Sequence, residues 1–456
     1  MAKDSVFFRS FGRFEMKTLS CVALALGFIM SLSLFNFFKQ PVMDLEASLS
    51  LGLKVLIGSD NKHQQKSLTE LELELKLPPS ISNLSNSISD MLEITGDVRV
   101  HGKSFTVFVA SATENDPTRS WALKPYARKH DTFLMGYIRE WTVVHGPASK
   151  LPGCEARSPF PGIIFSTRGY AMNPYHDFSD LLVPLYLTAR PYNRSIVLLV
   201  NDLLEPWIEK YERMLKKLSS QEIANIDDER RVVCFPRVTV GLRAHKELGI
   251  DPREPPHYSM AEFREFVQAT WALRARVWAK KSPRARMLMI SRERSRRMTN
   301  ERAVARVARR VGFDVVVREI GSTDDVAESA RFVNSFDVMA GVHGAGMTNM
   351  VFLPEGGVAV EVVPFGLDGL ARQYYRAEAE GMGLGYLEYR VGWNESSLKG
   401  KYSVESEVYR EPGKIQKKGF LGFRAVYMDD QDVEVDCGRF EETLVEALRM
   451  VSKRNV

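Results

Sequence analysis

The sequence predicts an α/β protein of two facing Rossmann-like lobes, carried behind an N-terminal transmembrane helix and a stem. Three observations predict it. An uncharged run at residues 18–38 (TLSCVALALGFIMSLSLFNFF) is about 21 residues long, enough for a helix to cross a hydrocarbon core of roughly 30 Å. Past residue 95, short apolar runs alternate with amphipathic windows in the rhythm of strands and crossover helices. A glycine-rich turn directly follows one of the late runs, at the kind of strand end where doubly wound sheets hold ligands.

At 456 residues the chain is long for one compact core. Its 45% hydrophobic and 26% charged residues exclude disorder or a multispanning membrane protein for the bulk of it. A formal charge of +5, from 62 basic against 57 acidic side chains and with no long basic tract, argues against a nucleic-acid partner. Lys3, Arg9, Arg13 and Lys17 precede the apolar run, while Asp44 and Glu46 follow it. Positive-inside logic therefore keeps residues 1–17 cytoplasmic and sends the rest across the membrane. A cleaved signal peptide is the competing reading, but the run is longer than a usual signal core, and Phe35, Phe37 and Phe38 stand where small residues precede cleavage. Residues 39–95 read as a stem, ending rich in Ser, Asn and Pro. Sequons at Asn83, Asn193 and Asn394 suit glycosylation beyond the membrane. Cys21 lies in the span, and among Cys154, Cys234 and Cys437 one bridge can form, expected between Cys154 and Cys234.

The first lobe, residues 96–282, sets SFTVFVAS, GIIFST, SIVLLVN and RVVCFP as strands, with helical windows at 174–189, 204–218 and 261–278. That alternation implies parallel strands with crossover helices. The lobes divide near KKSPR at 280–284. In the second lobe, residues 283–456, ARMLMISR, FDVVVREI, FDVMAGV and VAVEVVP are strands of a doubly wound sheet, with NERAVARVARRVG the first helix between them. Ligands of such sheets bind past the carboxyl ends of strands, so the cleft between the lobes is the expected site.

The turn Gly341-Val342-His343-Gly344-Ala345-Gly346 leads from the strand FDVMA into MTNMVFLP, a short helix. Glycines there let the backbone approach an anion, and free amides with a helix dipole favour a diphosphate. Gly344 and Gly346 are the binding glycines, and His343 is placed to donate to a phosphate oxygen or a transferred sugar; a packed histidine in a plain turn is the bland alternative. Glu361, near the end of VAVEVVP, suits the two hydroxyls of a ribose, with a solvent-facing edge carboxylate as its alternative. Arg292, in SRERSRR after the strand RMLMI, is the expected phosphate ligand, because the guanidinium fork matches phosphate oxygens. In the first lobe, His176 and Asp180 of NPYHDFSD are candidates for a general base, although Asp177, Ser179 or Asp180 could instead cap the helix that follows.

No metal site is expected: C-x2-C and H-E-x-x-H are absent, and the D-x-D at Asp430-Gln431-Asp432 lies in an acidic tail far from the turn. No cofactor is expected either.

The segments HDFSDLLVPLYLT, VVCFPRVTVGLRAH, MISRERSRRMTNE, GVHGAGMTNMVFLPEG and MDDQDVEVDCGRF, taken in order, resemble glycosyltransferase family 61 of plants over roughly residues 95–450. The anchor and stem resemble that family's type II Golgi members. The resemblance implies a GT-B fold, with Arg292, His343, Gly344 and Glu361 at the phosphates and nucleotide. It implies inverting transfer from a UDP-sugar, and in plants the addition of arabinofuranose or xylose to xylan side-chain positions. N-glycan β-1,2-xylosyltransferases belong to the same family. The expected partners are thus a nucleotide-sugar donor, xylan or another glycan acceptor, the Golgi membrane through one span with the catalytic domain lumenal, and a Golgi transferase complex. Two rivals stand beside this reading. A Rossmann oxidoreductase is disfavoured because no early G-x-G-x-x-G with an acidic partner is evident. A noncatalytic Golgi scaffold that binds polysaccharide would keep the same fold.

Overall fold

Strands among the described residues assemble into two sheets, one of 10 strands and one of 5. The structure, a computed structural model, describes residues 79–274 and 284–453. The expected span at 18–38 and most of the stem lie outside those residues, as does most of the expected division at 280–284. No described helix is long and apolar enough to cross a membrane.

The first sheet is built from β1 (Ser80–Asn83), β2 (Leu92–His101), β3 (Thr106–Ala110), β4 (Arg119–Leu123), β5 (Trp141–Gly146), β6 (Ala156–Arg157), β7 (Gly162–Ser166), β8 (Val197–Asn201), β9 (Ala224–Asn225) and β10 (Val232–Val240). Its order is β4-β5-β3-β2-β10-β7-β8-β9, with β1 on β2 and β6 on β10. The strands from β10 to β9 are parallel, as expected, whereas β2 runs antiparallel to both β3 and β10. This corrects the all-parallel first lobe to a mixed sheet. Only residues 102–105 join β2 to β3, and so short a link cannot make a crossover. Residues 80–83 and 92–95, assigned to the stem by composition, also belong to this sheet. Leu92, Ile94, Val98 and Val100 alternate into its core, which anchors β2 at the centre.

The second sheet contains β11 (Arg286–Ile290), β12 (Asp314–Arg318), β13 (Val338–Val342), β14 (Val358–Val363) and β15 (Gly385–Arg390), ordered β12-β11-β13-β14-β15 and parallel throughout. Counted from its own first strand this is the 2-1-3-4-5 order of a doubly wound sheet. The flanking helices include α1 (Glu205–Leu218), α2 (Met260–Trp271), α3 (Glu301–Val311), α4 (Val326–Asn334) and α5 (Cys437–Lys453). Pleating sends Met287, Met289, Val358, Val360 and Val362 into a core with α3 and α5. Leu288, Ile290, Met339 and Ala359 point the opposite way, into an apolar cluster that also holds Ile163, Phe165, Leu198 and Val200 of the first sheet. The two halves therefore share a core. Cys154 and Cys234 form the expected disulfide, 5.7 Å between Cα atoms, and Cys437 is free.

Candidate active site

After β13 the chain turns through His343 and Gly344 into a 3-10 helix, Ala345–Phe352. Gly344 has φ 146°, and a Cβ there would stand 2.7 Å from Nη1 of Arg292 and 3.1 Å from Nη1 of Arg296. Glycine is what lets the backbone meet two guanidiniums at once. Arg296 donates from Nη1 to the His343 carbonyl at 2.9 Å, and Arg292 donates from Nε to the Ser295 carbonyl at 2.8 Å. Neither forms an ion pair with a carboxylate among the described residues. Burial lowers the pKa of both; Arg296 is brought to about 10, by burial first and then by the charge of Arg292. Two enclosed like charges without a counter-ion make a site for an anion. Of the neighbouring arginines, Arg294 is exposed and Arg297 is paired with Asp432 at 2.6 Å.

The register of β13 on β14 sets Gly341 opposite Glu361, and the pleat turns Glu361 away from Val360 and Val362. Glu361 is fully buried. One oxygen meets Nδ1 of His343 and the other accepts from the Tyr386 hydroxyl. The sequence reading gives Glu361 to a ribose; in the structure both of its oxygens are already engaged, and they fix the orientation of His343 instead. Gly346 lies in the first turn of the 3-10 helix, where a Cβ would be 3.3 Å from Ile290.

In the first half, Pro174–His176 is α-helical, Asp177–Leu182 widens to a π-helix, and Val183–Ala189 is α-helical again. Such wide turns recur at functional sites. Nδ1 of His176 lies 2.9 Å from Oδ2 of Asp180. Asp180 is fully buried, accepts from the Tyr126 hydroxyl at 3.0 Å and receives Arg128 Nη1 on its other oxygen at 3.1 Å. Capping falls instead to Asn173, whose side chain accepts from the Tyr175 amide at 3.0 Å. Asp177 holds Trp207 at 3.0 Å and Tyr211 at 2.8 Å, and burial raises its pKa. Arg128 also reaches Glu247 at 3.2 Å, and Glu247 accepts from Tyr175 at 3.0 Å and pairs with His130 at 3.0 Å. Burial alone would lift the Glu247 carboxyl; the His130 hydrogen bond and the Arg128 charge outweigh it and hold it at about 2.

Aromatic rings bring the two clusters together. Tyr175 lies 5.2 Å from Tyr374, which stacks on His343 at 6.2 Å, and the Tyr375 hydroxyl donates to the Gly344 carbonyl at 2.9 Å. The expected residues His176, Asp180, Arg292, His343, Gly344 and Glu361 thus line one region where the halves meet. The D-x-D carboxylates are held elsewhere, Asp430 by Lys401 and Asp432 by Arg297. Asn83, Asn193 and Asn394 are exposed, and Ser396 of the last sequon is buried against Gln431. The sequence reading does not single out Arg128, Glu247, Tyr374 or Tyr375. Arg296 was visible only as one of several basic neighbours.

The Glycosyltransferase 61 family profile matches residues 175–360, from the ring beside His176 to the residue before Glu361. The chain is 38% identical over 376 residues to alpha-1,3-arabinosyltransferase XAT3 of Oryza sativa subsp. japonica, covering 81% of this chain and 65% of that protein. It is 35% identical over 386 residues to beta-1,2-xylosyltransferase XYXT1 of the same organism, covering 80% and 82%. It is 34% identical over 424 residues to xylan glycosyltransferase MUCI21 of Arabidopsis thaliana, covering 86% and 85%. The matched region thus spans about two thirds of the first relative and most of the other two, and on this evidence the chain belongs to glycosyltransferase family 61.

Proposed function

We propose that this protein transfers a pentose, arabinofuranose or xylose, from a UDP-sugar to side-chain positions of xylan, with inversion at the anomeric carbon. The observation that carries the reading is that Tyr175, Tyr374 and Tyr375 connect a carboxylate-held imidazole, His176 on Asp180, to the Gly344 turn with its uncompensated arginine pair. The diphosphate lies against Arg292, Arg296 and the turn. Nε2 of His176 takes the proton from an acceptor hydroxyl while that oxygen bonds to the anomeric carbon. The bond from that carbon to the diphosphate breaks, its electron pair passes to the phosphate oxygen, and the two guanidiniums neutralise the charge that develops there. Asp180 accepts Nδ1–H and so fixes the tautomer that leaves Nε2 basic. His343, held by Glu361, offers its other nitrogen to the donor.

Metal-independent transfer suits this arrangement because fixed positive charge is already present at the turn, while Asp430 and Asp432 are committed to Lys401 and Arg297. The names of the relatives, which specify arabinosyl, xylosyl and xylan transfer, support the pentose and the acceptor. A GT-B-like architecture, a type II anchor at residues 18–38, a lumenal Golgi location, glycosylation of Asn83, Asn193 and Asn394, and assembly with other Golgi transferases complete the proposal. The Cys154–Cys234 disulfide supports an oxidising lumen.

The test offers UDP-arabinofuranose and UDP-xylose with xylo-oligosaccharides and, separately, with an N-glycan, and reads products by mass spectrometry. Addition of a pentose to the xylo-oligosaccharide is expected, undiminished by a chelator. Transfer to the N-glycan alone would overturn the acceptor assignment, and loss on chelation with rescue by Mn²⁺ would return Asp430 and Asp432 to the chemistry.

A further inference from the structure

Three carboxylates converge on one guanidinium beside the proposed base. Asp180 accepts from His176 Nδ1 at 2.9 Å on one oxygen and meets Arg128 Nη1 at 3.1 Å on the other. The same Nη1 lies 3.2 Å from Oε2 of Glu247, whose other oxygen stands 3.0 Å from Nε2 of His130. An imidazole, a carboxylate, a guanidinium, a carboxylate and a second imidazole thus follow one another in a single chain of contacts. Tyr175 adds a second link, since its hydroxyl donates to Glu247 at 3.0 Å and its ring lies 5.3 Å from that of His176. The third carboxylate, Asp131, is 3.5 Å from Arg128 Nε. Other groups around the chain do not balance this charge. Burial pushes the hydroxyls of Tyr126, Tyr170, Tyr175, Tyr374 and Tyr375 to higher pKa, so they stay neutral. Nearby cations are committed elsewhere, Lys129 to Asp90 at 2.7 Å, Lys246 to Asp251 at 3.9 Å and Arg424 to Asp429 at 3.1 Å. His245 is engaged on both nitrogens, by the Pro255 carbonyl and the Asp251 amide, and His343 is held by Glu361. The imidazoles of His130 and His176 are left to make up the deficit.

We propose that His130 and Glu247 are positioning residues for the transfer: through Arg128 they set the proton affinity of His176, and with it the pH range over which His176 works as a base. The proposal rests on the function proposed above. Glu247 and Asp180 share one guanidinium nitrogen, so the Glu247 charge decides how much of the Asp180 charge is left for the His176 proton. A proton on His130 adds positive charge to the same chain and disfavours a second proton on His176, which makes the two imidazoles a coupled pair. Arg128 and Asp180 are buried, so the field along the chain is weakly screened. Glu247, with its carboxyl at about 2, carries its charge wherever the imidazoles titrate. His130 is half in solvent, and it therefore relays the surrounding pH to a carboxylate that is closed off from water.

The test uses the full chain, with isotope-labelled histidine, as wild type, His130→Gln, His130→Lys and Glu247→Gln. The His176 resonance, assigned by its loss in His176→Ala, is titrated across the neutral range, and kcat/KM is measured over the same range. His130→Lys keeps a positive charge throughout, and His130→Gln never has one. His176 is expected to titrate at lower pH in His130→Lys than in His130→Gln, by about half a pH unit or more, with wild type between them and the acid limb of kcat/KM following. Glu247→Gln removes a negative charge and is expected to move both readings in the same direction as His130→Lys. Damage to the fold would lower activity without separating the two His130 variants in this way, and the half-exposed position makes both of them compatible with folding. Equal titration of His176 in the two His130 variants, or an upward shift in Glu247→Gln, overturns the proposal and leaves the transferase reading standing. A His176 resonance that moves as expected, in a protein whose kcat/KM has no matching limb, supports the coupling and overturns His176 as the base.

Discussion

Glu361 is closed off from water, and a carboxylate in that position needs a donor for each oxygen. His343 and Tyr386 meet that need, so removing either end leaves the other side chain stranded. Glu361→Gln is expected to lower transfer by 10²-fold or more, an order of magnitude drawn from pairs that orient a functional histidine, while His343→Ala lowers it similarly with far-ultraviolet circular dichroism unchanged. Steady-state rates on both variants check this, and full activity in either removes that residue from the site. A second buried carboxyl is less fully met. Glu378 is 4% exposed, its Oε2 makes no hydrogen bond, and burial pushes its pKa up from 4.5 to about 7. Below pH 4.5 it is protonated folded or unfolded and costs nothing. As pH rises from 4.5 to about 7 the unfolded chain releases a proton that the folded chain keeps, so stability falls by about 3 kcal/mol and then levels off. Thermal melts of Glu378→Gln should lack that decline, and an identical pH profile in the two proteins would contradict it. At this scale His176, Asp180, Arg292 and His343 could be picked out as candidates because each sits in a short local pattern. Arg128 and Glu247 were not, since they reach Asp180 and Tyr175 from distant stretches of chain that carry no pattern of their own.

The glycine turn is an element whose shape and charge cannot be separated. Gly344→Ala would have to hold φ 146° and push aside the Arg292 guanidinium. It is expected to destabilise the fold by about 1–3 kcal/mol and to weaken UDP binding more than Gly346→Ala, which meets only Ile290 at 3.3 Å. Denaturant melts and UDP titration of the two variants separate these effects, and equal behaviour would remove Gly344 from the anion site. The strands of the second sheet were legible because buried parallel strands are nearly continuous apolar runs, such as RMLMI and VAVEVV. The first sheet was harder to read. Its antiparallel members β2 and β4 carry polar residues such as Glu93, Arg99, Arg119 and Ser120, which blurred them into stem or loop. The π-helix gave no warning in the sequence, because HDFSDLLVP has the apolar spacing of an ordinary helix.

At the scale of the molecule, one apolar cluster running from Tyr126 to Tyr386 holds residues of both sheets and locks them together. The alternation of strands and helices conveyed a mixed α/β fold and the parallel second sheet, but not that the two sheets share a core, since that depends on contacts between distant segments. The Cys154–Cys234 bridge closes a loop with a sequence separation of 80 across the first half. Reduction or Cys154→Ser is expected to cost about 3–5 kcal/mol, read from denaturant unfolding, and an unchanged midpoint would contradict that. The central claim is a division of labour, with phosphate bound by Arg292 and Arg296 from one half and the acceptor proton taken by His176 from the other. Calorimetric UDP titration paired with transfer rates, for wild type, Arg296→Gln and His176→Ala, tests it most directly. Arg296→Gln should weaken UDP by about 10- to 100-fold, and His176→Ala should keep UDP affinity while losing 10²- to 10⁴-fold in kcat. Intact UDP affinity in Arg296→Gln, or near-normal turnover in His176→Ala, would contradict the account.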